Sequence, residues 1–151
     1  MTAGHHAAES GHDAVVQLLV NAKAPVDISG YCRRTPLHVA ARSGRSAAAR
    51  VLIACSADVN AVDGAVDAPL HHAARNNGDE VVAALLAGEA AVDVVNRVGE
   101  SALHAAAGAG HCAVVQALIK RSTELTSGTR PRCTMRPTWA TTMCCKSCSM
   151  P

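Results

Sequence analysis

Eight histidines and seven cysteines are the residues of this chain best equipped for chemistry. Either side chain ligates zinc when several copies converge, and histidine also moves protons near neutral pH. Four cysteines crowd one end, where Cys133 lies upstream of Cys144-Cys145-x-x-Cys148, a spacing like that of a thiolate zinc site. Four histidines, His5, His38, His71 and His104, instead step by 33 residues along the chain. A step that long and that regular belongs to a repeating framework and does not gather ligands. His71-His72 is no metal pair by itself, because adjacent side chains diverge on a helix. His6 and His72 each follow a periodic His and are expected to face outward as surface contacts. No nucleophile elbow, phosphate loop, paired-His zinc helix or catalytic carboxylate pair appears. The expectation is a chain with no catalytic residue, no metal site and no cofactor.

The elements that carry these histidines recur at the same interval. Thr35-Pro36-Leu37-His38-Val39-Ala40-Ala41 is matched by Ala68-Pro69-Leu70-His71-His72-Ala73-Ala74 and by Ser101-Ala102-Leu103-His104-Ala105-Ala106-Ala107. Thr2-Ala3-Gly4-His5-His6-Ala7-Ala8 matches less closely. The second halves keep register too: Val15-Val16 with Val81-Val82 and Val114-Val115, and Asp27 with Asn60 and Asp93. Each copy reads as two helices. Thr35 caps the first by accepting from its free amides, and Pro36 suits the first turn. Leu37, Ala40 and Ala41 share one helical face. Gly11, Gly44 and Gly110 close the first helix, and Val15, Val16, Leu18 and Leu19 supply the apolar face of the second. One such unit cannot bury its own apolar face, so neighbours must stack.

This pattern resembles the ankyrin repeat family. The family's T-P-L-H-x-A-A signature stands intact at residues 35–41, and its V-V-x-x-L and A-D-V-N endings appear at Val81-Val82 with Leu85 and at Ala57-Asp58-Val59-Asn60. The resemblance covers residues 2 to about 124. It implies an all-α, ankyrin-repeat solenoid of about four helix-turn-helix repeats with projecting loops, followed by a disordered C-terminal tail. The repeats are placed at about 2–27, 28–60, 61–93 and 94–124. It implies structural roles for the periodic histidines, each imidazole tying a loop to a helix start, and for His12 and His111 at the turn. Asp58-Val59-Asn60 is similar to the loop that asparagine hydroxylases modify in some ankyrin proteins, although capping of the loop is the expected role.

The chain departs from that pattern in places. Lys23, Ser56, Glu89 and Ser122 stand where the family has a left-handed Gly after the second helix, and Gly88 lies one residue early in the third copy. A side chain held in that conformation costs about 1 kcal/mol. Ala48-Ala49 replaces a valine pair, and Gly4 stands where Leu is expected. The first repeat is thus read as incomplete or frayed. The tail is placed at 125–151, and residues 129–151 show no helical period. Read in a shifted frame, Met135, Trp139, Met143 and Met150, whose codons end in a fixed G, give Ala (with a CG-type codon at Arg136), Gly, Val and Ala at ankyrin spacing. The tail therefore reads as a fifth repeat out of frame, and its cysteines as accidents of codon phase.

Composition bounds the function. Aromatics are 1% of the chain, which removes the stacking platforms that nucleic-acid binders use. The net charge of +2 arises in the tail, since residues 1–128 hold ten Lys/Arg against twelve Asp/Glu. No apolar run is long enough to cross a membrane. The N-terminus lacks the basic stretch and apolar core of a signal peptide, and scattered cysteines suit a reduced compartment. A cytoplasmic monomer is expected, binding another protein and neither nucleic acid nor membrane.

The resemblance implies that loop tips and exposed first-helix positions form the contact surface. By register the tips are residues 30–34, 62–67 and 97–100. The partner-binding candidates are Tyr31, Arg33, Arg34, Val39, Arg42, Ser43, Asp63, Asp67, His72, Arg75, Asn76, Arg97 and Glu100. Tyr and Arg dominate interface hot spots, which puts Tyr31, Arg33 and Arg34 first. Arg42, Arg75 and Arg97 continue a basic line suited to an acidic or mixed-charge peptide. The alternative reading is a fragment of a larger protein, in which the repeats recruit substrate for a catalytic domain elsewhere.

Overall fold

The computed structural model describes residues 1–126. The tail and its frame-shift reading fall outside them, as do the cysteines at 133, 144, 145 and 148. Eight helices form four antiparallel pairs: α1 (Ala3–Ser10) with α2 (Asp13–Asn21), α3 (Pro36–Arg42) with α4 (Ser46–Ala54), α5 (Pro69–Arg75) with α6 (Asp79–Ala87), and α7 (Ala102–Ala109) with α8 (Cys112–Thr126). The first helices stack α1-α3-α5-α7 in one layer and the second helices α2-α4-α6-α8 in another. No strand is present among the described residues, where one isolated antiparallel bridge joins Val95 to Ser101. No helix among them is long and apolar enough to cross a membrane.

Small residues set the spacing of the layers. Ala8, Ala40, Ala41, Ala73, Ala74 and Ala106 are completely buried between first helices, where a larger side chain would force the backbones apart. Leu37, Leu70 and Leu85, with the pairs Val81-Val82 and Val114-Val115, fill the space between the layers. Ala48 and Ala49 are likewise fully buried, so the smaller pair closes the gap at the cost of apolar area.

Left-handed backbone marks three columns at the pitch of the repeat. The first runs Gly11, Gly44, Asn77 and Gly110, with φ of 77°, 68°, 55° and 76°. The second runs Lys23, Ser56 and Glu89, at 57°, 65° and 63°. The third lies in the projecting loops at Arg33, Val66 and Gly99, at 58°, 65° and 82°. Turn geometry is therefore held even where the residue is unsuited to it. A β-branched residue such as Val66 is the most strained of these. Ser122 departs from expectation: it lies inside α8, which continues to Thr126 where the earlier second helices turn.

The first pair is formed but loosely filled. With Gly4 in place of Leu, an apolar cavity of about 100 Å³ opens between Val16, Leu19, Val26, Ile28, Pro36 and Leu52. Val15 is 43% exposed and Leu18 67%, whereas Val81 and Val114, at the register of Val15, are buried.

Candidate functional site

The projecting loops are positioned by the periodic histidines. In His5, His38 and His71 the Nε2–H donates to a carbonyl 29 residues on, that of Arg34 (2.7 Å), Asp67 (3.1 Å) and Glu100 (3.1 Å). A carbonyl only accepts, which fixes the tautomer and leaves Nδ1 as acceptor. Nδ1 receives the backbone N–H of Thr2, Thr35 and Ala68. The Thr2 and Thr35 hydroxyls also donate to it, a leg that Ala68 lacks. Each ring so joins its own helix start to the base of the next loop. His104 makes the same local bond, taking the N–H of Ser101 on Nδ1, and is exposed where the other three are buried.

Each loop closes with the same backbone bond: Gly30 N–H to the Arg34 carbonyl, Asp63 to Asp67, and Asn96 to Glu100. In the second loop the Asp63 Oδ1 accepts the N–H of Ala65 and of Asp67, and in the third the Asn96 Oδ1 accepts those of Val98 and Glu100. Gly30, the equivalent in the first loop, has no side chain to do this, and Cys32 and Arg33 there adopt left-handed φ of 59° and 58°. Neighbouring loops are joined in turn. Arg34 Nε reaches Asp63 Oδ2 at 3.5 Å, and Asn96 Nδ2 donates to Asp67 Oδ1 at 2.9 Å, both links spanning 29 residues. Backbone bonds run from Gly64 N–H to the Cys32 carbonyl and from Arg97 N–H to the Ala65 carbonyl.

Asp63, Asp67 and His72 were expected to face a partner, and the structure corrects this. Their exposures are 2%, 6% and 6%, because they form the polar clasp beneath the loops. The His72 Nε2–H donates to Asp63 Oδ2 at 3.0 Å, and Arg75 Nη1 donates to Asp67 Oδ2 at 3.2 Å. Ligand atoms of the three residues lie within 4.8 Å of one another, close enough to hold an ion. All four carboxylate oxygens, however, already accept from protein donors, and Arg34 and Arg75 supply the positive charge. The arrangement fits a hydrogen-bonded clasp.

Charge states follow from this packing. Burial pushes His38 down to about 4, against the opposing pull of its bond to the Asp67 carbonyl. Burial also lowers His72, outweighing the attraction of Asp63. Burial would raise Asp63, but its hydrogen bonds from His72, Ala65 and Asp67 outweigh that and hold it below its ordinary value. Asp67 is lowered similarly, by Asn96 and Arg75 against burial. Near neutral pH the clasp holds ionised aspartates beside neutral imidazoles.

Two open grooves run beside the clasp. One is lined by Tyr31, Arg34, Val39, Arg42 and Ser43 with His5 and Glu9. The other is lined by Arg34, Arg75 and Arg97, with Cys32 and Val98 at its lip, over Gly64 and Ala65. Arg34 lines both, so the two grooves adjoin at its side chain. Tyr31 is 82% exposed and Val98 81%. Arg33, Arg42, Arg97 and Asn76 are exposed, and Arg34 and Ser43 are half-buried. Val39 lines the groove as an almost covered floor, against the expectation of an exposed contact. Arg75 also pairs with Glu100 at 3.6 Å, and the Asn76 amide donates to the His72 carbonyl. Asn60 Oδ1 accepts the N–H of Ala91, which ties successive back loops together.

Sequence reasoning missed Asn96, and it placed Cys32 and Val98 within the loop tips 30–34 and 97–100 without naming them as contacts. The first was within reach, since Gly30, Asp63 and Asn96 form a column at the 33-residue step. Nothing in the residue types marked Cys32 or Val98. A family model described as ankyrin repeats in three copies matches residues 1–63 and 64–129. No curated protein matches the chain.

Proposed function

Because the chain belongs to the ankyrin repeat family, we propose that it is a non-catalytic scaffold that holds a partner protein along its loop tips and first-helix groove. Ankyrin repeats generally serve as protein–protein interaction modules, and repeat domains of this kind typically carry no catalysis. The observation that carries the finer reading is the pair of open grooves that adjoin at Arg34. Tyr31, Arg34, Val39, Arg42 and Ser43 line one, and Arg34, Arg75 and Arg97 the other, at two consecutive loop junctions. Its walls are fixed beforehand by the histidine ladder and the aspartate clasp. Little conformational freedom is lost on binding, which favours affinity. Tyr31 and Arg33 stand outermost and are the anchors of the surface, while Asp63, Asp67 and His72 serve it from beneath.

The test uses the full chain as bait in its native host, compared with a Tyr31→Ala/Arg33→Glu variant. Both side chains are exposed and make no side-chain hydrogen bond or ion pair among the described residues, so the fold is kept. Loss of hot-spot contacts predicts at least about tenfold less of the bound partner on the variant. Equal recovery of the same partner on both baits would overturn the assignment to these loops.

A further inference from the structure

The charge of the repeat body is sorted by face. The first helices with their projecting loops (1–11, 29–44, 62–77 and 95–110) carry five cations, Arg33, Arg34, Arg42, Arg75 and Arg97. Against them stand four acids, Glu9, Asp63, Asp67 and Glu100, of which Asp63 and Asp67 are buried in the clasp. The second helices and back loops (12–28, 45–61, 78–94 and 111–124) hold five cations and eight acids. The surface of the groove face is thus cationic on a body that is acidic as a whole. A net charge of one sign on the far side and of the other on the groove side steers a partner toward the groove.

The groove over Gly64 and Ala65 gives that charge a shape. Arg34 is anchored through Nε to the buried Asp63, which leaves its terminal nitrogens toward the groove it lines. Arg75 is held by Asp67 and Glu100. Arg97 completes the lining and forms no ion pair among the described residues. Buried carboxylates therefore act as positioning groups, and a terminal guanidinium pair is left to recognise a planar anion in the forked geometry that suits a carboxylate. Arg34 also lines the groove of Tyr31, Val39 and Arg42, so an extended chain seated at the anion subsite has that second groove beside it.

We infer that the partner offers an acidic, extended peptide segment, one carboxylate of which sits between Arg34 and Arg97 while an apolar neighbour packs on Tyr31 or Val98. This rests on the protein-binding reading above and names its ligand class. The test is selection of random dodecapeptides displayed on phage against the full chain. The most enriched peptide is then labelled and its affinity measured by fluorescence anisotropy at low and high salt. It is compared with its Glu→Gln, Asp→Asn twin, on wild type and on Arg97→Gln and Tyr31→Ala variants. The expected result is enrichment of Asp and Glu, with affinity falling at high salt. The neutral twin and Arg97→Gln should each weaken binding by about tenfold, the loss of one charge-assisted hydrogen bond. Enriched peptides without acidic bias that lose affinity on Tyr31→Ala would overturn the acidic ligand and leave the binding surface standing. No enrichment, or affinity indifferent to both substitutions, would overturn the surface as well. Stronger binding of single-stranded RNA than of any peptide, on the same arginines, would replace the peptide by a nucleic acid.

Discussion

Filling the space left by Gly4 tests whether the first repeat is weak for the reason the packing suggests. Leu37 and Leu70, at the register of Gly4, are buried to within 1% of complete coverage. At Gly4 an apolar cavity of about 100 Å³ remains. At roughly 24 cal/mol per Å³, a void of that size corresponds to about 2 kcal/mol. The cavity opens to solvent on one side, and an ordered Leu loses about 0.5–1 kcal/mol of rotamer freedom. Filling it should therefore stabilise the fold by about 1 kcal/mol. Gly4 is the second residue of α1, in its first turn, so removing the glycine contributes separately but by less than the roughly 1 kcal/mol of a helix interior. Gly4→Ala isolates that second effect, since a methyl there meets Pro36 Cγ at 3.6 Å and the Thr2 hydroxyl at 3.8 Å, ordinary contacts. Urea unfolding followed by helical circular dichroism should rank Gly4→Leu above Gly4→Ala above wild type, with the Ala-to-Leu step about 1 kcal/mol and the Gly-to-Ala step smaller. Native-state hydrogen exchange should place the added protection in α1 and α2, because stability in stacked repeats is communicated mainly between neighbours. A Gly4→Leu protein no more stable than Gly4→Ala would refute the cavity as the cause.

Three further expectations follow from the same framework. Val66→Gly should raise stability by about 1 kcal/mol by releasing a β-branched residue from left-handed backbone, while Gly99→Val should lower it by at least as much, both read from urea midpoints. His71→Ala removes the ring that joins the Ala68 amide to the Glu100 carbonyl and should cost about 2–3 kcal/mol; the same change at exposed His104 should cost less, in the same assay. His38, titrating at about 4 in the fold against roughly 6.5 unfolded, favours folding in its neutral form. Its contribution is complete above about pH 6.5 and falls by about 3 kcal/mol as pH drops to about 4. His72 acts in the same direction, and Asp63 and Asp67, lowered in the fold, lose their contribution as pH falls below about 4. His38→Gln should flatten the stability profile between about pH 6.5 and pH 4, although its absolute stability is lower; an unchanged slope would show that His38 is not the titrating group.

The repeat was legible because its step is written twice, in the His-centred signature of the first helix and in the valine pairs of the second. Those features act within about a dozen residues, through capping, turn geometry and one-sided apolar faces, so the order of amino acids suffices to determine them. The resemblance implied structural roles for His5, His38, His71 and His104, and for the first three the ladder of imidazole-to-carbonyl bonds gives the physical basis. Burial of the loop residues was not legible. A loop of Asp, Val, Gly and Ala reads as exposed and polar, and Asp63, Asp67 and His72 were accordingly read as surface. Whether a carboxylate faces solvent or lies beneath depends on which donors stand across from it. Those donors, Arg34 and Asn96, come from loops 29 residues away, and His72 from the helix behind.

The sequence by itself thus determined the helix pairs, their order and the periodic histidines, since all follow from local chemistry repeated at one interval. Tertiary structure alone decided which charges remain outside. Stacking brings each loop against the next, gives the ionised aspartates their donors and leaves Tyr31, Arg33 and Arg97 outermost, because contacts between repeats are set by distance in space.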